Sequence, residues 1–156
     1  MDRDEFVRVV GQVFEHSPWI AERAATRRPF ASLDSLHATL CEVVTRAAAD
    51  EQLALICAHP DLVGRAVLTA ESRSEQAAAG LTDISPEEMA QFDRYNREYK
   101  ARFGFPFVIC ARLNKKDAIL HAFPTRLQNS PELERETALA EIFKIAQLRL
   151  ADLTTS

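Results

Sequence analysis

Only one stretch of the 156-residue chain reads as a β-strand, Phe105-Pro106-Phe107-Val108-Ile109-Cys110-Ala111. A strand needs a neighbour for its backbone N–H and C=O groups, and an isolated one is not stable. The run therefore predicts a buried extended segment rather than a sheet, and it leaves the rest of the chain to helices. The expected fold class is all-α, with about seven to nine helices in a single domain over residues 1–156.

Start and stop signals place those helices. Phe6, Val9, Val10, Val13 and Phe14 repeat at three and four residues and predict a helix from Asp4 to Glu15. Ser17-Pro18 opens a second, and Ser32 is the candidate N-cap of a third that carries Leu33, Leu36, Leu40, Val43 and Val44. Asp50 is expected to cap a short helix ending near His59, because Pro60 disfavours helical backbone before it. Asp61 to Leu68 should be loop. Ser72-Arg73-Ser74-Glu75 has the form of a capping box, with Gly80 as the stop after Ala79. Ser85-Pro86-Glu87-Glu88 opens a helix through Tyr99 to Phe103-Gly104. A further helix starts at Asn114 or Lys115 and should kink or break at Pro124; Ser130-Pro131 caps the last, from Glu132 to Leu153.

Composition removes several function classes. Nineteen basic against 23 acidic residues give a formal net charge of −4, so no basic footprint for nucleic acid is expected. No apolar run approaches the roughly 18 residues of a membrane span, and MDRDEFVRVV has no signal-peptide pattern. Three cysteines at irregular spacing read as reduced thiols of a cytoplasmic protein, and the closing Thr154-Thr155-Ser156 is no peroxisomal address. None of the four histidines makes a metal-ligand spacing, Cys57-x-His59 alone is too little for zinc, and four glycines form no phosphate loop.

Three polar residues sit where a plain core would not put them. Arg149 shares a helical face with Ile142, Ile145 and Ala146. It either pairs locally with Asp152 or snorkels to solvent, or it reaches into a pocket to bind a carboxylate or urea-like group. Glu75 either completes a cap or belongs, with Ser72, to a ligand-binding turn. His59 either opposes a helix dipole or is an acid–base group suited to neutral pH.

Taken together, FEHSPWIAERA (14–24), AHPDLVGR (58–65), LTAESRSEQAAAGL (68–81), YKARFGFPFVICARL (99–113) and EIFKIAQLRLADL (141–153) resemble the 2-oxo-4-hydroxy-4-carboxy-5-ureidoimidazoline (OHCU) decarboxylases, in that family's order and over nearly the whole chain. The resemblance implies an all-α fold, a small-molecule substrate, a homodimer and no cofactor. The implied reaction is cofactor-independent loss of CO2 in urate breakdown to give (S)-allantoin. It further implies His59 as the catalytic proton shuttle, with Glu75 and Arg149 as its catalytic partners orienting the substrate. The implied substrate-binding residues are Pro60, Ser72, Arg73, Ser74, Glu75 and Gln76, and the extended Phe107, Val108, Ile109, Cys110 and Ala111, with Phe107 as an apolar wall. Pro124 departs from the continuous helix expected there. Two other readings stand beside this one. One is a helical interaction module in which His59, Glu75 and Arg149 lie apart, and the other is an enzyme acting on a different ureido compound.

Overall fold

In a computed structural model describing residues 1–64 and 68–154, eight α-helices carry the chain and no described residue lies in a strand. They are α1 (Arg3–Val10), α2 (Trp19–Ala24), α3 (Leu33–Thr45), α4 (Ala49–Cys57), α5 (Ala70–Ala78), α6 (Pro86–Phe103), α7 (Lys116–Leu127) and α8 (Pro131–Leu153). Single 3-10 turns cover Gly11–Val13, Ala25–Arg27 and Ala111–Leu113. None of the described residues between α4 and α5 is helical, and residues 65–67 of that expected loop lie outside the described residues, as do Thr155 and Ser156.

Capping chemistry explains most boundaries. Ser32 accepts the Ser35 N–H at 3.0 Å, as its position predicts. Ser85 and Glu88 form a reciprocal box, Glu88 N–H to Ser85 Oγ at 3.1 Å and Ser85 N–H to Glu88 Oε1 at 3.0 Å. Two expected caps move. α4 starts after Ala48, whose N–H donates to Glu51 Oε1 at 3.1 Å, so Asp50 sits inside the first turn instead of capping it. α5 starts after Thr69, whose Oγ1 accepts the Ser72 N–H at 3.1 Å. The capping box of Ser72 and Glu75 is therefore not formed at a helix start, and both residues lie within α5. Gly80 does stop that helix. At φ +85° it takes the left-handed conformation of a Schellman turn, with Leu81 N–H to Gln76 C=O at 3.0 Å and Gly80 N–H to Ala77 C=O at 3.0 Å.

α7 runs through Pro124 without a break. The proline lies on the exposed side, while its neighbours Phe123 and Arg126 are buried. Phe123 stacks on Phe107 and Arg126 pairs with Glu134, which holds the helix on both sides of the missing N–H.

The chain falls into two compact units, Met1–Ala58 with Phe143–Ser156, and His59–Ile142. In the first, α2 packs on α1 and α3 around Phe6, Phe14, Ile20, Leu40 and Val44. The second has an aromatic core. Phe107 stacks on Phe123 with centroids 3.9 Å apart, and Tyr99 meets Phe107 edge-on at 5.3 Å and Phe105 at 5.8 Å.

Candidate active site

His59 opens the second unit, one residue beyond the Ala58 cap of α4, and is 9% exposed. The loop that follows is held at every described residue from Asp61 to Gly64. Asp61 Oδ2 pairs with Lys100 Nζ at 2.6 Å, and Leu62 C=O accepts from Asn96 Nδ2 at 2.9 Å. Val63 N–H donates to Gln76 Oε1 at 3.2 Å, and Gly64 N–H to Asp61 C=O at 3.3 Å. A Cβ on Gly64 would lie 2.8 Å from that of Asp61, so only glycine fits there. Val63 has φ +58°, a left-handed conformation that a β-branched residue adopts at a cost of about 1–2 kcal/mol. The hydrogen bonds around it hold the strain in place.

The Val63–Gln76 bond links this loop to α5 and fixes the Gln76 amide. Its oxygen is turned to Val63, so its NH2 is the group left to donate elsewhere. Along α5, Ser72 (6% exposed) and Gln76 (7%) are buried one turn apart, and half-buried Glu75 lies beside them. Arg73 and Ser74 are exposed. Of the five residues taken from the family pattern, three thus lie on the inward side of the helix and two face solvent.

α5 packs against the turn Ala111–Leu113 at the end of the extended segment. Lys115 Nζ donates to Ala78 C=O at 2.7 Å and Lys116 N–H to Ala79 C=O at 3.0 Å, fastening the C-terminal end of α5 to the start of α7. Residues 105–111 are all buried and have no sheet partner, as their sequence predicts. Side chains satisfy the backbone instead. Arg126 Nη1 donates to Val108 C=O at 2.6 Å, Glu141 Oε1 accepts the Cys110 N–H at 3.0 Å, and Asn114 Nδ2 donates to Cys110 C=O at 2.9 Å. Among the described residues, neither the N–H nor the C=O of Ile109 has a hydrogen bond. The Phe107 ring is 2% exposed, stacked on Phe123 and 4.2 Å from the Arg126 guanidinium. The ring thus packs within the core of the unit.

Electrostatics sort the remaining groups. Burial first, then the carboxylates of Glu141 and Glu75, raise the Cys110 thiol pKa against hydrogen bonds from the Leu113 and Arg112 amides. The thiol stays neutral at pH 7 and is no nucleophile. In the first unit, Cys41 Sγ lies 3.5 Å from His37 Nε2, but that nitrogen is 2.8 Å from Phe143 C=O, and burial pushes the thiol up to about 11. It is no Cys–His dyad. Among the described residues, no group of three or more His, Cys, Asp or Glu side chains could hold a metal ion.

Arg149 belongs to the first unit, 5% exposed beside Ile145, Ala146 and Leu150 of α8. Its Nη2 donates to Glu15 Oε1 at 2.8 Å and its Nη1 to Val13 C=O at 3.3 Å. The guanidinium is thus paired within the fold, with a carboxylate 134 residues away in sequence as one partner. Glu15, Arg126, Glu134 and Glu141 escaped sequence reasoning. The face of α8 that singles out Arg149 also passes through Glu134, Ala138 and Glu141 at steps of three and four, so the same argument applied earlier along the helix would have found two of them.

Known proteins resemble this chain over nearly its whole length. The family model described as OHCU decarboxylase matches residues 1–151. A protein of Haloferax volcanii named 2-oxo-4-hydroxy-4-carboxy-5-ureidoimidazoline decarboxylase is 44% identical over 97% of this chain and 90% of its own. One of the same name from Amia calva is 45% identical over 96% and 88%. Among solved structures, an OHCU decarboxylase in the presence of (S)-allantoin superposes with TM-score 0.75 at 28% identity, covering 88% of this chain and 92% of that one. An (S)-allantoin synthase superposes with TM-score 0.81 at 28% identity, over 98% of this chain and 51% of that one.

Proposed function

This chain belongs to the OHCU decarboxylase family, and from that premise we propose that it converts 2-oxo-4-hydroxy-4-carboxy-5-ureidoimidazoline to (S)-allantoin, with His59 as proton shuttle and Glu75 and Arg149 orienting the substrate. The enzyme is a carboxy-lyase of urate degradation. The carboxylate leaves from the ring carbon that also bears the hydroxyl. Its bonding pair forms a double bond to the ureido-bearing carbon while the C=N pair moves onto the ring nitrogen, which takes up a proton, giving an enol. One proton is then added at the ureido-bearing carbon while the hydroxyl proton is lost to form the new C=O. CO2 departs, one proton is taken up overall, and a stereocentre is set by the face that receives it.

Each part of that chemistry has a side chain suited to it. His59 is of the residue type that gives and takes protons at neutral pH. Ser72, Glu75 and Gln76 offer an acceptor, a charge and an amide NH2 from one side of α5. The Ile109 N–H and C=O suit the heteroatoms of a flat ring. Arg149 enters by the family pattern, as a fork for a carboxylate or ureido group. Pro60, Phe107, Val108, Cys110 and Ala111 join as backbone or apolar contacts, and Arg73 and Ser74 as members of the same motif. A cytoplasmic homodimer is part of the proposal.

The observation that carries the reading is the placement of Glu75. It is not used as a helix cap, it lies on the side of α5 that carries buried Ser72 and Gln76, and Gln76 reaches the His59 loop. His59→Asn and Glu75→Gln should each abolish enantioselective acceleration while far-UV circular dichroism stays that of the parent. Full activity in a folded His59→Asn protein would overturn the assignment.

A further inference from the structure

We propose that Glu141 is a positioning residue for the reaction, with Arg126 as its counterpart: the two hold one edge of the extended segment so that the opposite edge, at Ile109, is presented to the substrate. This rests on the reading of residues 107–111 as a substrate platform.

In extended backbone, the N–H and C=O of one residue point to the same edge and those of its neighbours to the other. Val108 C=O and Cys110 N–H therefore lie on one edge. That edge is taken by Arg126 Nη1 at 2.6 Å and Glu141 Oε1 at 3.0 Å. The two side chains occupy the positions a neighbouring strand would fill. The Ile109 N–H and C=O lie on the other edge, where no hydrogen bond is made among the described residues.

The two holders are anchored differently. Arg126 is tied by Nε to Glu134, which also accepts from Tyr99 Oη at 2.6 Å and Asn129 Nδ2 at 3.0 Å. Its removal would disturb the whole core of the unit. Glu141, 8% exposed and the last residue but one of that unit, holds Cys110 from α8. A change at Glu141 leaves the Arg126–Glu134 pair in place. A rotation of the peptide planes at Cys110 would turn the Ile109 groups as well, since consecutive residues share a peptide unit. Glu141 thus acts on the substrate through the backbone without touching it.

The test is a pair of substitutions in the full-length enzyme, assayed well below their melting temperatures with freshly generated urate oxidation product. Glu141→Gln keeps an oxygen acceptor at nearly the same place and should retain at least about half the parent kcat/KM. Glu141→Met removes the acceptor, and loss of one well-placed contact should raise KM about tenfold and lower the enantiomeric excess of the allantoin. It should also speed amide hydrogen exchange at Cys110 in the free protein. A folded Glu141→Met enzyme with parental KM and enantiomeric excess would overturn the proposal, as would a Glu141→Gln enzyme as impaired as Glu141→Met. If the parent itself fails to accelerate (S)-allantoin formation, the proposed function fails and not the clamp. The clamp is then judged on exchange: faster exchange at Cys110 in Glu141→Met supports it, and unchanged exchange overturns it.

Discussion

Arg149 on the last helix and Glu15, just past the first, form a buried ion pair at 2.8 Å. Both side chains are at most 5% exposed, so neither charge can be left alone without a desolvation cost. Glu15→Ala should therefore lower the unfolding free energy by about 3–5 kcal/mol, read from urea denaturation at constant m-value. Arg149→Lys keeps the charge but loses the planar fork. It should lose most activity while keeping more stability than Glu15→Ala, which activity assays and denaturation on the same preparations will separate.

The loop after His59 gives a second prediction. Gly64→Ala places a methyl group 2.8 Å from the Asp61 Cβ, so the turn must open. Activity should fall severalfold with only a small change in melting temperature, because the loop lies outside the helices. Val63→Gly, in contrast, relieves a left-handed valine and should leave stability unchanged or raise it by up to about 1 kcal/mol. A large loss of stability in Val63→Gly would show that the strain is not there to relieve.

Alkaline stability should fall in a defined window. Burial, then the hydrogen bond to Glu134, raise the Tyr99 phenol above its ordinary 10.0. Burial raises the Cys41 thiol from 9.0 to about 11. In both cases the unfolded chain loses its proton first, so it binds fewer protons than the native state and stability declines with pH. The contribution of Cys41 is complete below pH 9.0 and is lost as pH rises through about 11; that of Tyr99 is complete below 10.0 and declines above it. Tyr99→Phe should cost about 1 kcal/mol at neutral pH and flatten the decline above pH 10.0. The measurement is the denaturation midpoint as a function of pH for both proteins.

Thiol chemistry supplies a fourth. Cys57 is exposed, Cys41 is half-buried and Cys110 is 1% exposed. With the last two held neutral by burial, a disulfide-exchange reagent at pH 7.5 should label one thiol quickly and two only on unfolding. Cys57→Ser should remove the fast phase.

Much of this could be read before the structure. The lone β-like run predicted a buried extended segment, and the chain is that up to the 3-10 turn that opens at Ala111. Ser32, Ser85 and Ser130 cap where their spacing puts them, because an N-cap is a local matter of one side chain and a neighbouring N–H. Ser72 misled because Thr69, three residues earlier, offered an equally good cap and won. The partners of the polar residues were harder. Glu15 and Arg149, or Glu141 and Cys110, are far apart in sequence and meet only through packing. Periodicity tells which face a residue is on and not what waits there. The Phe107 ring is another such case: its stacking on Phe123 could not be read from its place in the chain.

The most direct measurement is the circular dichroism of allantoin after freshly generated urate oxidation product is mixed with the parent enzyme. An (S)-allantoin signal that rises in proportion to enzyme concentration, far ahead of the spontaneous and racemic decay, is the predicted result. A signal no faster than in buffer, or product without optical activity, would contradict it.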